Sequence, residues 1–168
     1  MLERIETGRL ILRTINESDI DAVLDYYIRN KEFLEPWMPK LGRDFFTYEF
    51  QLQRLSFEKE MWEKGIEYRF RIFKKEEPEK NIGNIAVSNI VRGVLQSGCL
   101  GYSVDEKENG KRYATEVIRK IIEISFGEIK LHRLEANVIP TNAGSIRGSG
   151  KIKFHKRRLF KTVLQNKR

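Results

Sequence analysis

Gly101-Tyr102-Ser103-Val104-Asp105-Glu106-Lys107-Glu108-Asn109-Gly110-Lys111-Arg112-Tyr113-Ala114-Thr115-Glu116 is the stretch whose reading decides the fold. Its first residues close an apolar run that starts at Leu95. From Tyr113 onward a helical pattern sets in, and Val117, Ile118, Ile121, Ile122 and Ile124 give it one broad apolar face up to Gly127. A polar segment with one glycine lies between. Strand, polar loop and helix start in this order make a cradle for phosphate, because the first N–H groups of a helix have no intrahelical partner and attract anionic oxygens. A single glycine before a helix is more often only a turn, so the stretch needs its surroundings.

Upstream, Glu67 to Phe73 and Ile82 to Ile90 read as two strands joined by the charged turn Lys74 to Lys80, a hairpin. Before them, Thr47 to Lys64 reads as a helix closed by Gly65. Pro36-Trp37-Met38-Pro39 must be a connection. The chain opens with a strand over Arg9 to Ile15. Asn16-Glu17-Ser18-Asp19 then supplies cap chemistry, with Asp21 three residues after Ser18, for a helix carrying Ile20, Val23, Leu24, Tyr27 and Ile28 on one face. Downstream, Leu131 to Ile139 alternates as a strand and Pro140 ends it. The order is strand, two helices, three strands, helix, strand, which predicts an α/β (α+β) domain with helices packed on its sheet.

At 168 residues the chain suits one domain, and its longest apolar runs are far below a membrane span. Charges in Met1-Leu2-Glu3-Arg4-Ile5-Glu6 argue against a secretory leader, and the lone Cys99 has no internal partner. Both fit a cytoplasmic protein. The net charge of +8 suggests a nucleic-acid partner until its distribution is read. Lys151, Lys153, Lys156, Arg157, Arg158, Lys161, Lys167 and Arg168 lie in Gly148 to Arg168 without a single acidic residue. Without these eight, basic and acidic residues balance, so a nucleic-acid role is expected only through the tail.

Set in these surroundings, Asn109 to Ala114 resembles the acetyl-coenzyme A loop of the GNAT superfamily, Gln/Arg-x-x-Gly-x-Gly/Ala. Thr7-Gly8-Arg9-Leu10-Ile11-Leu12-Arg13 is similar to the opening strand of its RimJ/RimL group, and Phe33-Leu34-Glu35-Pro36-Trp37-Met38-Pro39 to the segment beside the acceptor site. Ser88-Asn89-Ile90-Val91-Arg92-Gly93, followed by Leu100-Gly101-Tyr102-Ser103, resembles the ribosomal-protein-alanine N-acetyltransferase branch. Leu131 to Val138 and Asn142 to Arg147 continue the likeness. The resemblance implies the GNAT fold, a mixed central sheet with helices on both faces, over residues 1–147. It implies acetyl-CoA as co-substrate and direct transfer of acetyl to an amine in a ternary complex, most specifically to the N-terminal α-amine of a ribosomal protein. Relatives with the same loop modify antibiotics, polyamines or amino acids, so a small-molecule amine stays open.

The implied site follows. An α-amine has a pKa near 8 (roughly 7.7 to 8.0), so water or one mild base frees its lone pair. The resemblance assigns acetyl-CoA contacts to Tyr102, Ser103, Val104, Asn109, Gly110, Lys111, Arg112, Tyr113, Ala114 and Thr115. The backbone of Gly101 to Val104 supplies the oxyanion donor where that strand splays from its neighbour. Ser145 is assigned to the thiolate and Asn142 to the pantetheine arm, though both follow Pro140, where Asn and Ser also serve as turn and cap residues. Glu135 is a candidate base, or a solvated strand residue. His132 alone makes neither a metal site nor a nucleophile pair, and no metal is expected. Cys99 reads as a small core side chain. Trp37 and Tyr27 either line the acceptor cleft or pack in the core.

Two departures from the pattern stand out. Arg112 occupies the position of a family glycine, where a positive φ would cost a side-chain-bearing residue roughly 1 to 2 kcal/mol. Its side chain either fills the phosphate site or turns outward and pairs with a phosphate. Impairment is favoured because Asn109 also replaces the usual Gln or Arg. The second departure is Gly148-Ser149-Gly150, a poor continuation of a helix. Back-translating the tail with A/T-rich codons and stepping one nucleotide yields VVEKLNFIKEDYLKQFYKIN, which is similar to the family's continuation. Residues 148–168 are therefore expected to be a frameshift-derived basic tail, and the domain to lack its native C-terminal strands. The competing expectations are an impaired remnant that binds CoA weakly or holds only a ribosomal or RNA partner, and a basic RNA-associated protein.

Overall fold

The computed structural model describes residues 2–142. Ser145 and the whole tail lie outside the described residues. Six strands form one sheet in the order β1 (Arg4–Glu6), β2 (Leu10–Arg13), β3 (Tyr68–Lys74), β4 (Glu77–Val91), β5 (Ser97–Val104) and β6 (Arg133–Glu135). Neighbours are antiparallel except β5 and β6, which run parallel. Four helices complete it: α1 (Ile20–Arg29), α2 (Lys31–Leu34), α3 (Tyr48–Glu63) and α4 (Tyr113–Gly127). No helix among the described residues is long and apolar enough to cross a membrane.

Alternation along the strands sends side chains to two faces. On one face Leu10, Leu12, Phe70, Ile72, Ile85, Val87, Leu100 and Val104 pack against Val117, Ile118, Ile121 and Ile124 of α4. On the other, Ile11 and Phe73 join Ile20, Val23, Tyr26 and Tyr27 of α1 and Leu55 of α3. Helices thus cover both faces, as the sequence implied. Gly83 of β4 is required by crowding, since a Cβ there would sit 2.4 Å from the Ser103 carbonyl oxygen.

Several boundaries differ from the sequence reading. β1 was not anticipated. The hairpin turn is tighter than Lys74 to Lys80, because Lys74 still pairs with Glu77. The capping box is Asn16 with Asp19, two residues ahead of the Ser18 and Asp21 pair. The Asn16 side chain accepts from the Ser18 N–H at 2.9 Å, and Asp19 accepts from the Asn16 N–H at 3.0 Å. Ile28 is exposed and Tyr26 takes the buried place on α1. Leu131 to Ile139 supplies only three paired residues, Arg133 to Glu135.

Candidate active site

The β5–β6 ladder consists of Ser97 with Arg133, Gly98 with Leu134 and Cys99 with Glu135. β5 then runs on to Val104, while the described residues after Glu135 carry no further strand. The two strands therefore diverge beside Gly101 to Val104. At the end of β5 the Asp105 N–H donates to the Ile82 carbonyl at 2.8 Å, and the Asp105 carboxylate accepts from the Lys107 N–H at 3.0 Å. The Arg29 guanidinium pairs with Asp105 at 2.7 Å. Burial would raise the Asp105 pKa, but hydrogen bonds from Arg29, Lys107 and Asn30 outweigh it and hold the carboxyl below its ordinary range.

A short 3-10 turn, Glu106–Glu108, leads to Gly110 at φ 80° and Arg112 at φ 67°, ψ 13°. Both are left-handed. Gly110 adopts this conformation without penalty; Arg112 does so with a Cβ. Arg112 is the N-cap of α4 and its side chain makes no capping hydrogen bond, so the first N–H groups of the helix depend on other partners. The Arg112 side chain is exposed. It lines an open depression of about 520 Å³ with Arg9, Thr115, Glu116 and Arg119. Three guanidinium groups around the positive end of a helix make a site for a polyanion. These residues fit the diphosphate and phosphate groups of coenzyme A.

The brace of this loop comes from the other end of the chain. Glu116 accepts from the Thr7 hydroxyl at 2.6 Å, the Arg9 N–H at 2.9 Å and Arg9 Nε at 2.9 Å. Arg9 also donates to the Lys111 carbonyl at 3.1 Å and lies 4.4 Å over the Tyr113 ring. Burial opposes the Glu116 charge, yet the bonds from Thr7 and Arg9 win and lower its pKa. In the sequence Thr7-Gly8-Arg9 reads only as the opening of a strand. Nothing in local spacing reveals a partner 107 residues away.

The expected residues fall into place unevenly. Lys111 pairs with Glu108 at 2.6 Å. Asn109, Gly110, Lys111, Arg112, Tyr113, Ala114 and Thr115 form the continuous loop and first helical turn. Tyr102 packs toward α4. Ser103 points to the opposite face, where its hydroxyl meets Tyr26 and Asn84, each at 2.8 Å. Val104 is core. Glu135 forms an ion pair with Arg133. Asn142 closes a turn through its N–H to the Ile139 carbonyl at 2.8 Å. Cys99 is half-buried. Tyr27 is buried and borders a cavity of about 40 Å³ between α1, α2 and Phe46, while Trp37 is half-buried and does not border it.

On the α1 and α3 face, Arg13, Arg71, Asn84 and Ser103 stand side by side across β2 to β5. Glu58 of α3 binds Arg71 at 3.0 Å with both carboxylate oxygens and Arg54 at 3.1 Å. Burial disfavours its charge, but Arg71, Arg54 and Arg69 overcome that and depress its pKa. Arg69 donates to Glu67 at 2.8 Å and to Asn84 at 3.2 Å. This network was not anticipated either.

Residues 9–155 match the profile of the acetyltransferase (GNAT) domain. The chain is 36% identical over 147 residues to a probable N-acetyltransferase, YjcK, of Bacillus subtilis strain 168, covering 88% of this chain and 81% of that protein. It is similar to the crystal structure of a ribosomal-protein-S5-alanine acetyltransferase from Vibrio fischeri, with TM-score 0.85 and 33% identity over 91% of this chain and 83% of that one. It is also similar to RimJ of Mycobacterium smegmatis in complex with CoA-disulfide, with TM-score 0.84 and 25% identity over 90% of this chain and 73% of that one. GNAT acetyltransferases use acetyl-CoA. The diverging parallel strands, the uncapped helix at an arginine-lined cleft and these matches together place the chain in the GNAT acetyltransferase family.

Proposed function

We propose that this protein transfers acetyl from acetyl-CoA to the N-terminal α-amine of a protein, with a ribosomal protein as the first acceptor to try. The observation that carries the reading is the α4 N-terminus, uncapped and faced by Arg9, Arg112 and Arg119 at the end of the strand that parts from β6. The first N–H groups of α4 and the three guanidinium groups would hold the phosphates. Bound there, acetyl-CoA supplies the activated acyl group. The backbone of Gly101 to Val104 would steady the oxygen on which charge develops. An α-amine near pKa 8 needs only a weak base, and Glu135 can serve once it releases Arg133. Ser145 would give the leaving thiolate its hydrogen bond, and Asn142 would position the pantetheine arm. The V. fischeri relative, whose name specifies a ribosomal-protein alanine, supports the acceptor class.

Two measurements test this. Calorimetric titration with acetyl-CoA should show saturable binding, and no heat at millimolar ligand would end the enzyme reading. Incubation with acetyl-CoA and an alanine-N-terminal peptide should then give N-terminal acetylation by mass spectrometry. A second reading, a remnant with weakened cofactor binding, is favoured by the left-handed Arg112. Arg112→Gly separates the two: tighter binding supports the remnant, weaker binding a guanidinium that engages phosphate.

A further inference from the structure

The Ser103 hydroxyl has its accepting capacity filled. Arg69 donates to Asn84 Oδ1 at 3.2 Å, and a guanidinium has no acceptor, so Asn84 must turn its Nδ2 toward Ser103 Oγ, 2.8 Å away. Arg69 is itself anchored by Glu67 through Nε at 2.8 Å and Nη2 at 2.6 Å. From the other side the Tyr26 hydroxyl donates to Ser103 Oγ at 2.8 Å. Tyr26 is 1% exposed, and burial pushes its pKa up, so it keeps its proton. A serine hydroxyl offers two lone pairs and one proton. Here both lone pairs are taken, and the proton has no acceptor among the described residues.

Ser103 is half-buried, and open space lies further along the same face of β5. Gly101 lies two residues earlier on the same face of β5, is exposed, and a Cβ added to it would meet nothing within 4 Å. This is the stretch that parts from β6. A hydroxyl with no free lone pair cannot take a proton from an amine. It can only donate, to the lone pair of an oxygen, a sulfur or an unprotonated nitrogen.

We propose that Ser103 is a specificity-determining donor that recognises the carbonyl oxygen of the residue carrying the acceptor amine, with Asn84 and Tyr26 as its positioning residues. The inference rests on the acetyl-transfer reading above and narrows its acceptor. A peptide α-amine always carries a carbonyl oxygen on its own residue, within reach of a donor beside the amine. A protonated polyamine offers only donors, so the same hydroxyl gives it nothing.

The test uses the full chain at saturating acetyl-CoA and compares an alanine-N-terminal peptide with isopropylamine, which lacks a carbonyl. Ser103→Ala should lower the ratio of kcat/KM for peptide over amine by roughly tenfold, the loss expected for one hydrogen bond to a neutral oxygen. Ser103→Thr should keep most of the ratio. In Asn84→Asp the new carboxylate can only accept and will capture the Ser103 proton, so the ratio should fall although the serine remains. An unchanged ratio in both Ser103→Ala and Asn84→Asp, or an equal loss on both acceptors, overturns the proposal. If the unaltered chain acetylates neither acceptor, the acetyl-transfer reading falls with it. If the unaltered chain is active and the ratio does not move, only the role of Ser103 falls.

Discussion

On the α4 face of the sheet, Leu12, Phe70, Ile72, Ile85 and Val87 meet Val117, Ile118 and Ile121 in apolar contact, whereas under α1 and α3 Arg13, Arg71, Asn84 and Ser103 occupy neighbouring strands in one polar row. The first face is joined mainly by burial, which is non-directional and tolerant of small adjustments, with Glu116 tied to Thr7 and Arg9 at its edge. The second adds to its apolar cluster charges whose partners are individually specified, and it contains Arg54 Nη1 and Arg71 Nε as buried nitrogens with no hydrogen-bond partner among the described residues. The difference teaches where precision sits. The helix proposed to carry the cofactor loop is seated mainly by bulk, and the face proposed to read the acceptor is set by directed bonds.

The comparison breaks most sharply at Glu58. Glu58→Gln removes the carboxylate that compensates Arg71 and Arg54, and should cost about 3–5 kcal/mol in urea unfolding. A loss under about 1 kcal/mol would show that the arginines find other partners. On the apolar face, Ile118→Val should cost only about 1 kcal/mol, since one methylene is lost from a site 1% exposed.

Acid sharpens the contrast. Glu58 and Glu116 have depressed folded pKa values, so each contributes stability that is present above its unfolded pKa of about 4.3 and lost as pH falls through the lower folded value. The unaltered chain should lose stability steeply below that range, and Glu58→Gln should flatten the slope in melts taken across it. A slope unchanged in the variant would remove Glu58 from the account. The smallest effect is expected from Arg112→Gly on stability: relief of the left-handed backbone is roughly 1 kcal/mol and is offset by the added freedom of the unfolded glycine, so the net shift in Tm should be near zero.

Much of this architecture is legible in residue order. Val117, Ile118 and Ile121 announce α4 because helical period and burial coincide there, and the same holds for Val23 and Tyr27 on α1. β1 is not legible, being three residues with Arg4 and Glu6 exposed around Ile5. β6 is overread, since Leu131 to Ile139 alternates throughout, yet pairing with β5 ends at Glu135, and alternation alone does not mark where a partner strand is met. The loop positions Asn109 to Thr115 are proposed from their likeness to a family, whereas Arg9, Glu58 and Asn84 are not visible that way, because their contacts are with partners distant in sequence. Arg112 was singled out correctly as a site of positive φ, and the placement of its side chain beside Arg9 and Arg119 required the fold.

The bond between Glu116 and Thr7-Gly8-Arg9 has a temporal consequence. The loop before α4 is complete only when residues 7–10 have waited for a helix more than a hundred residues behind them, so it belongs to the slow, long-range part of folding. Once formed, the tie works in both directions. A ligand that holds the start of α4 also holds residues 7–10, and exchange of their amide hydrogens should slow although none of β2 need touch the ligand.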